Sequence, residues 1–408
     1  MTDIQKENKS GGKVPNLRFP SFEGEWEVKK LGEIAEKIGD GLHGTPSYTD
    51  ESNYYFINGN NLINGKIEIT ENTKKIDAKT FLKNDKNLRK NTLLISINGT
   101  IGNIAKYNNE NVMLGKSVGY FNFEENSDFL YFVLQTSPVQ EHFKSELTGS
   151  TIKNLSLKTL RETNLRLPSQ DEQQKVASFL SLIDERITTQ SKIIEGLKKL
   201  KVATAKKIFS QEFRFKDDKG NDFSEWEEIL LGEVMSIPEK TKAQNIDKNK
   251  LLTVKLHLKG VLKNDNTDTL SFGATNYFIR KKGQFIYGKQ NLFNGAFDII
   301  PDEFDGFLSS GDVPTLEINN SKINSSFLLY LMGRKEFYKP LEDFATGSGS
   351  KRIHENTLLG IKIPFPSLPE QTKIANFLSA IDSKIDMENQ LLQKLEEQKK
   401  YLLQNMFV

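Results

Sequence analysis

The chain has 408 residues, of which 37% are apolar and 27% charged, with a formal net charge of +2 and no cysteine. That length predicts two or more domains, and no apolar run approaches the roughly 18 residues of a membrane-spanning helix. Lack of cysteine excludes disulfides and thiolate metal sites and fits a reducing, cytoplasmic setting, whereas a near-neutral charge decides nothing about nucleic acid, since a local basic face is enough to bind phosphate.

In chain order, MTDIQKENKSGGK is polar, has no apolar core of a signal peptide, and is expected to be a disordered tail over 1–14. A first module is expected over 15–167. It opens with EWEVKKLGEI (25–34) and continues into the glycine-rich loop Asp40-Gly41-Leu42-His43-Gly44-Thr45-Pro46. Strand-like runs follow at Tyr54-Tyr55-Phe56-Ile57, at 92–97 and at 118–121, with Asn58-Gly59, Asn64-Gly65 and Asn98-Gly99 as turns between them and a short helix over 127–135. This mixture is α+β. The loops around Gly41, His43 and Thr45, around Asn98, Thr100 and Asn103, around Lys116 and Ser117, and around Thr151 and Lys153 offer free amides, hydroxyls and a cation. That combination suits phosphate, and the amides and cations suit base edges. A single Gly-Ser-Thr loop also occurs as a plain surface turn, and a lone histidine such as His43 as a solvated one. The four histidines, His43, His142, His257 and His354, have no metal-ligand spacing.

At 168–187 the chain reads PSQDEQQKVASFLSLIDERI. Ser169 and Glu172 have the spacing of a capping box, and the apolar residues behind them follow helical periodicity. A long helix is therefore expected over 168–210. A second module, 211–365, then repeats the plan. EWEEILLGEV (225–234) echoes the first opening at an offset of 200, and strand-like runs recur at 251–254 and 284–287, with a helix at 325–332. Its best candidate contacts are Lys289 and Asn291, and Ser350, Lys351, Arg352 and His354. A second long helix, 366–408, opens with PSLPEQTKIANFLSAIDSKI, identical to the first at twelve of twenty positions at an offset of 198. Between these anchors, 40–147 and 238–345 show little likeness. A shared frame with unlike middles points to two modules doing the same kind of work on different targets.

Both helices carry apolar residues on a seven-residue grid: Ile187, Ile194, Leu197 and Ile208 in the first, Ile385, Leu392, Leu395, Leu402 and Met406 in the second. Neither can bury its stripe alone, so an antiparallel coiled coil is expected, each helix about 50–60 Å long. The alternative is two helices packed separately on their own modules. Lys201 and Lys399, and Gln190 and Glu388, interrupt the grids at matching positions and are read as register-fixing polar residues.

No P-loop, no adenine-methyltransferase N-P-P-[FY] or D-P-P-[FY] segment and no catalytic triad or paired-carboxylate motif stands out, so no chemistry is expected of the chain itself, no cofactor and no metal. From about Pro15 to Val408 the sequence resembles the specificity subunits of type I restriction-modification systems. The resemblance rests on Leu167-Pro168-Ser169-Gln170-Asp171-Glu172-Gln173 and Phe365-Pro366-Ser367-Leu368-Pro369-Glu370-Gln371, on the W-x-x-x-x-L-G-E segments at Trp26 and Trp226, and on the D-G-x-H-G-T-P loop. In the second copy Ile237-Pro238-Glu239-Lys240 lacks the histidine–glycine turn.

The resemblance implies two target recognition domains, each reading one half of a bipartite, asymmetric site on double-stranded DNA, with the helical pair setting the gap. It further implies two modification subunits holding S-adenosylmethionine and two restriction (motor-nuclease) subunits using ATP and Mg, with no membrane partner. Two other readings remain open from the residues: a self-sufficient methyltransferase or restriction enzyme with its own readers, and a coiled-coil adaptor whose modules bind protein.

Overall fold

The computed structural model describes residues 13–125, 127–149, 153–264, 275–347 and 349–408. The chain divides into two compact units: a first that runs to Lys192 and includes Gln390–Val408, and a second, Ile193–Asn389. The boundary therefore falls inside both long helices, Gln170–Phe209 and Leu368–Asn405, of 40 and 38 residues.

In the first unit a four-stranded antiparallel sheet has the order Lys37–Asp40, Val118–Asn122, Thr92–Ser96, Ile104–Lys106. The two central strands are buried at every residue, as strands covered on both faces are, which is why they read as continuous apolar runs rather than alternating ones. Their one polar pair is satisfied internally, Thr92 Oγ1 donating to Asn122 Oδ1 at 2.8 Å. A three-stranded sheet (Lys75–Ile76, Tyr54–Ile57, Val112–Leu114) lies beside it, its last pair parallel.

In the second unit the main sheet repeats the plan as Met235–Ser236, Thr315–Ile318, Phe285–Tyr287, Phe297–Ile299. The two middles thus share a strand order that their sequences do not announce. Each unit also closes its module with a two-stranded ribbon, Glu27–Lys30 with Asn164–Leu167 and Glu227–Leu230 with Lys362–Phe365. The expected helices lie at Asp128–Val133 and Ser325–Met332.

Both units show the helices antiparallel. In the first, Val176, Leu180 and Ile183, early in one helix, share a core with Leu402, Met406 and Phe407, late in the other. In the second, Ile208 and Phe209, late in the first helix, pack with Ile374 and Leu378, early in the second. All nine seam residues are at least partly sheltered: Ile194, Ile208, Ile385, Leu395, Leu402 and Met406 are buried, Ile187, Leu197 and Leu392 half-buried. The expected α+β modules on an antiparallel helical pair are what the fold contains.

The two lysine interruptions form cross-helix ion pairs. Lys399 reaches Asp184 at 2.7 Å in the first unit, and Lys201 reaches Asp382 at 2.6 Å in the second. All four residues are related by the same offset of 198, so each unit has one cross-helix pair in the same place.

The glutamates of both expected capping boxes are held elsewhere, and in the second the serine takes no part. Glu172 takes a fork from Arg18, Nε at 2.8 Å and Nη2 at 2.7 Å, and Glu370 takes Arg214 and the Trp226 indole, while the Ser367 hydroxyl is buried without a partner. A charged fork is stronger than a reach back to one amide. The tail expected over 1–14 lies outside the described residues up to 12. At its end the Lys13 carbonyl accepts from the Trp26 amide at 3.0 Å.

Candidate nucleic-acid interface

In the first module, loops far apart in sequence close on one another. Ser117 Oγ donates to Asn58 Oδ1 at 3.0 Å and accepts from the Gly59 amide at 2.9 Å. Thr100 Oγ1 donates to the Gly59 carbonyl at 3.0 Å, and the Leu155 amide to the Ile97 carbonyl at 2.9 Å, bringing the 148–154 loop alongside. The Leu42 amide donates to the Leu114 carbonyl at 2.7 Å, which joins the 40–46 loop to the same cluster.

Four turns therefore meet, 40–46, 58–59, 96–103 and 115–117, with the paired Thr148 and Asn154 beside them. Gly59 is needed at the centre, because a Cβ there would lie 2.9 Å from Ser96 Cβ. The sequence offers Asn58-Gly59 only as a strand turn. Its place at the hub depends on contacts with residues nearly sixty positions away.

The geometry sorts the expected contact residues. Gly41 is no free amide donor. Its N–H is bound to the Val118 carbonyl at 3.0 Å, and a Cβ would meet the Leu114 carbonyl oxygen at 2.2 Å, so its role is close packing. Ser117 and Thr100 spend their hydroxyls internally, and Asn103 donates its amide to the Leu62 carbonyl at 3.0 Å. These three build the platform. Thr151 lies outside the described residues.

What faces outward is His43, exposed and within 2.6 Å of Asp40 Oδ2, together with exposed Thr45 and the ammonium groups of Lys116 and Lys153, which contact no carboxylate among the described residues. Asn98 Oδ1 is buried with no donor.

In the second module the equivalent loop, 346–352, closes by the same Thr346–Arg352 bridge that joins Thr148 to Asn154 in the first. The Ile353 amide donates to the Lys289 carbonyl at 2.9 Å, so the two expected clusters do meet. Their cations are engaged, however. Lys289 is largely buried and pairs with Glu355 at 3.0 Å, which corrects the reading of it as an exposed contact. Lys240, from the stretch that lacks the histidine–glycine turn, reaches the same carboxylate at 3.2 Å.

Burial opposes ionisation of Glu355, but a backbone hydrogen bond and the two lysines outweigh it and hold the carboxyl below its ordinary value. Arg352 faces Asp312 at 3.5 Å, and Lys351 faces Glu342 at 3.3 Å. Asn291 and Ser350 are exposed, and His354 caps the helix Glu355–Leu359 through its backbone position with its ring exposed. Nothing in the local sequence announces Asp312, Glu342 or Glu355 as partners, because each lies on another loop or at a helix start. Among the described residues no group of three or more histidine, aspartate or glutamate side chains has metal-site geometry, and no helix is long and apolar enough to cross a membrane.

Comparison with known proteins agrees with this duplicated geometry. A family model described as the type I restriction modification DNA specificity domain matches twice, over residues 23–199 and 223–397. The chain is similar to the MjaVIII type I restriction enzyme specificity subunit of Methanocaldococcus jannaschii, at 25% identity over 95% of this chain and 92% of the relative. A second relative from that organism, a putative MjaX specificity subunit, is 26% identical over 93% and 92%. The fold matches the crystal structure of a type I restriction-modification S subunit from M. genitalium with a TM-score of 0.59 and 19% identity, covering 97% of this chain and 99% of that one.

Proposed function

The chain belongs to the type I restriction-modification DNA specificity family, and from that premise we propose that its two modules each read one half of a bipartite, asymmetric DNA site. The paired helices set the unspecified gap between the halves. The chain itself is a noncatalytic targeting subunit. Two modification subunits supply S-adenosylmethionine and flip the target adenine. Two restriction subunits supply ATP-driven translocation and cleavage with Mg, in the cytoplasm. The observation that supports this reading best is the doubled frame: two similar strand orders, two closing ribbons and two cross-helix ion pairs at one offset, carrying two unlike faces.

Exchange of residues 40–147 for the corresponding part of another specificity subunit, followed by methylome sequencing of cells that also express the modification subunits, tests it. One half of the methylated motif is expected to change and the other half and the gap to stay. A change in both halves overturns the assignment of one module to one half.

A further inference from the structure

The two candidate faces differ in how their cations are held. On the first, Lys116 and Lys153 are exposed and contact no carboxylate among the described residues. On the second, exposed Lys351 and half-buried Arg352 each lie against a carboxylate. Lys351 meets Glu342 at 3.3 Å, and Arg352, which also donates to the neutral Gln290 side-chain oxygen at 2.9 Å, has Asp312 as its carboxylate at 3.5 Å.

Glu342 also takes Lys339 at 3.5 Å, and the hydrogen bond and charge of Lys351 hold its carboxyl below the ordinary carboxylate range. Both carboxylate side chains are substantially exposed, at 37% for Glu342 and 59% for Asp312, where an ion pair adds little to stability. The loop they meet, 346–352, closes in the same way as the first module's 148–154 loop without any such partner.

We propose that Glu342 and Asp312 are specificity-determining carboxylates that occupy the phosphate-binding positions of Lys351 and Arg352, so that duplex DNA engages the second module only by displacing them. This rests on the DNA-reading function proposed above. A phosphate group offers the same oxygen acceptors as a carboxylate with more charge, so the exchange is one of like for like. Sequence-independent binding is driven by phosphate contacts and counterion release. An internal carboxylate at each cation removes most of that gain from random DNA, while base-edge contacts at a correct half-site remain available to offset the exchange. The first module then supplies the unconditional electrostatic grip and the second the discrimination.

The test measures binding of a random-sequence duplex by the complex of this chain with its modification subunits, over a range of salt. The double variant Glu342→Gln with Asp312→Asn is expected to bind tighter at low salt. Each released cation should steepen the log–log salt slope by about 0.9, or roughly two units in all. Glu303→Gln is the charge-matched control, since Glu303 is exposed and contacts no cation among the described residues. It should leave the slope unchanged. Glu342→Gln alone, expected to add about one unit, carries the test if the double variant unfolds. An unchanged slope in the variants, or an equal change in Glu303→Gln, overturns the inference. If the modification subunits alone bind duplex as they do with this chain present, the DNA-reading function itself falls, which is a separate outcome.

Discussion

In the first unit Arg18 forks onto Glu172 and donates to the carbonyls of Gly24 and Glu23. In the second Arg214 forks onto Glu370 and donates to the carbonyls of Ser224 and Phe223. Each arrangement ties the segment before a module to the first turn of a long helix. The tryptophans beside them differ. Trp226 donates its indole N–H to Glu370 at 3.0 Å, whereas Trp26 has a buried N–H with no partner and packs edge-on against Phe129 and Phe407, centroids 5.8 and 6.1 Å away. The charged fork is thus common to both copies, and the aromatic beside it is free to trade a hydrogen bond for apolar packing. A duplicated frame keeps the groups whose loss would strand a buried charge and lets the rest vary.

The largest expected effect breaks that comparison at its centre. Glu370 is fully buried and holds two donor residues, so Glu370→Ala leaves Trp226 without an acceptor and Arg214 with only Glu225 and two carbonyls, and is expected to cost about 3–5 kcal/mol. Glu172→Ala strands Arg18 alone and should cost less, roughly 3 kcal/mol. The two tryptophans make the measurement possible. In a Trp26→Phe background Trp226 fluorescence follows denaturant unfolding of the second unit, and the reciprocal background follows the first. Equal losses would mean that the indole bond to Glu370 contributes nothing.

A smaller effect is expected at the cross-helix pairs. Lys399 is the more sheltered cation, 19% exposed against 30% for Lys201, and lies over the Tyr131 and Phe132 rings at 5.9 and 5.8 Å. Asp382 has a second donor in the Tyr330 hydroxyl at 2.7 Å. Double-mutant cycles to alanine should give a coupling of roughly 1–2 kcal/mol for Lys399 with Asp184 and nearer 1 kcal/mol for Lys201 with Asp382, the latter more reduced by salt. The reverse order would show that Tyr330, which donates to Asp382 and also lies under Lys201 at 5.1 Å, outweighs the greater burial of Lys399.

The frame was legible in the sequence because its signals are local or periodic. The twelve identities at 168–187 and 366–385, the apolar grid and the matching Lys201 and Lys399 all survive as structure, and the strand-like run at Tyr54–Ile57 and the helix at 325–332 lie where their patterns placed them. The face was legible only in outline. Gly41, Ser117 and Thr100 were recognisable as loop residues of the right chemistry, but whether a hydroxyl points to solvent or to the Gly59 backbone depends on partners up to 58 residues away. The same holds for Lys289, whose partner Glu355 begins a helix on the far side of the 346–352 loop. The hold of Arg18 on Glu172 was hidden for a related reason: spacing to Ser169 is visible in one dimension, while Arg18 becomes a partner only once the chain folds back.

The smallest effect bears on the faces. Lys153 and Lys351 close equivalent loops, one free of carboxylates and the other against Glu342 at 3.3 Å. If both loops meet phosphate, removing a free cation forfeits a full counterion release, and removing a neutralised one forfeits little. Lys153→Ala should therefore flatten the salt slope of duplex binding by about 0.9 and weaken binding roughly fivefold at 0.15 M salt. Lys351→Ala should change affinity by no more than about twofold, with the slope within a few tenths of the original. The measurement is a filter or fluorescence titration of the complex with modification subunits at several salt concentrations. Equal slope changes in the two variants would mean that Glu342 does not screen Lys351, and no change in either would remove both loops from the phosphate contacts.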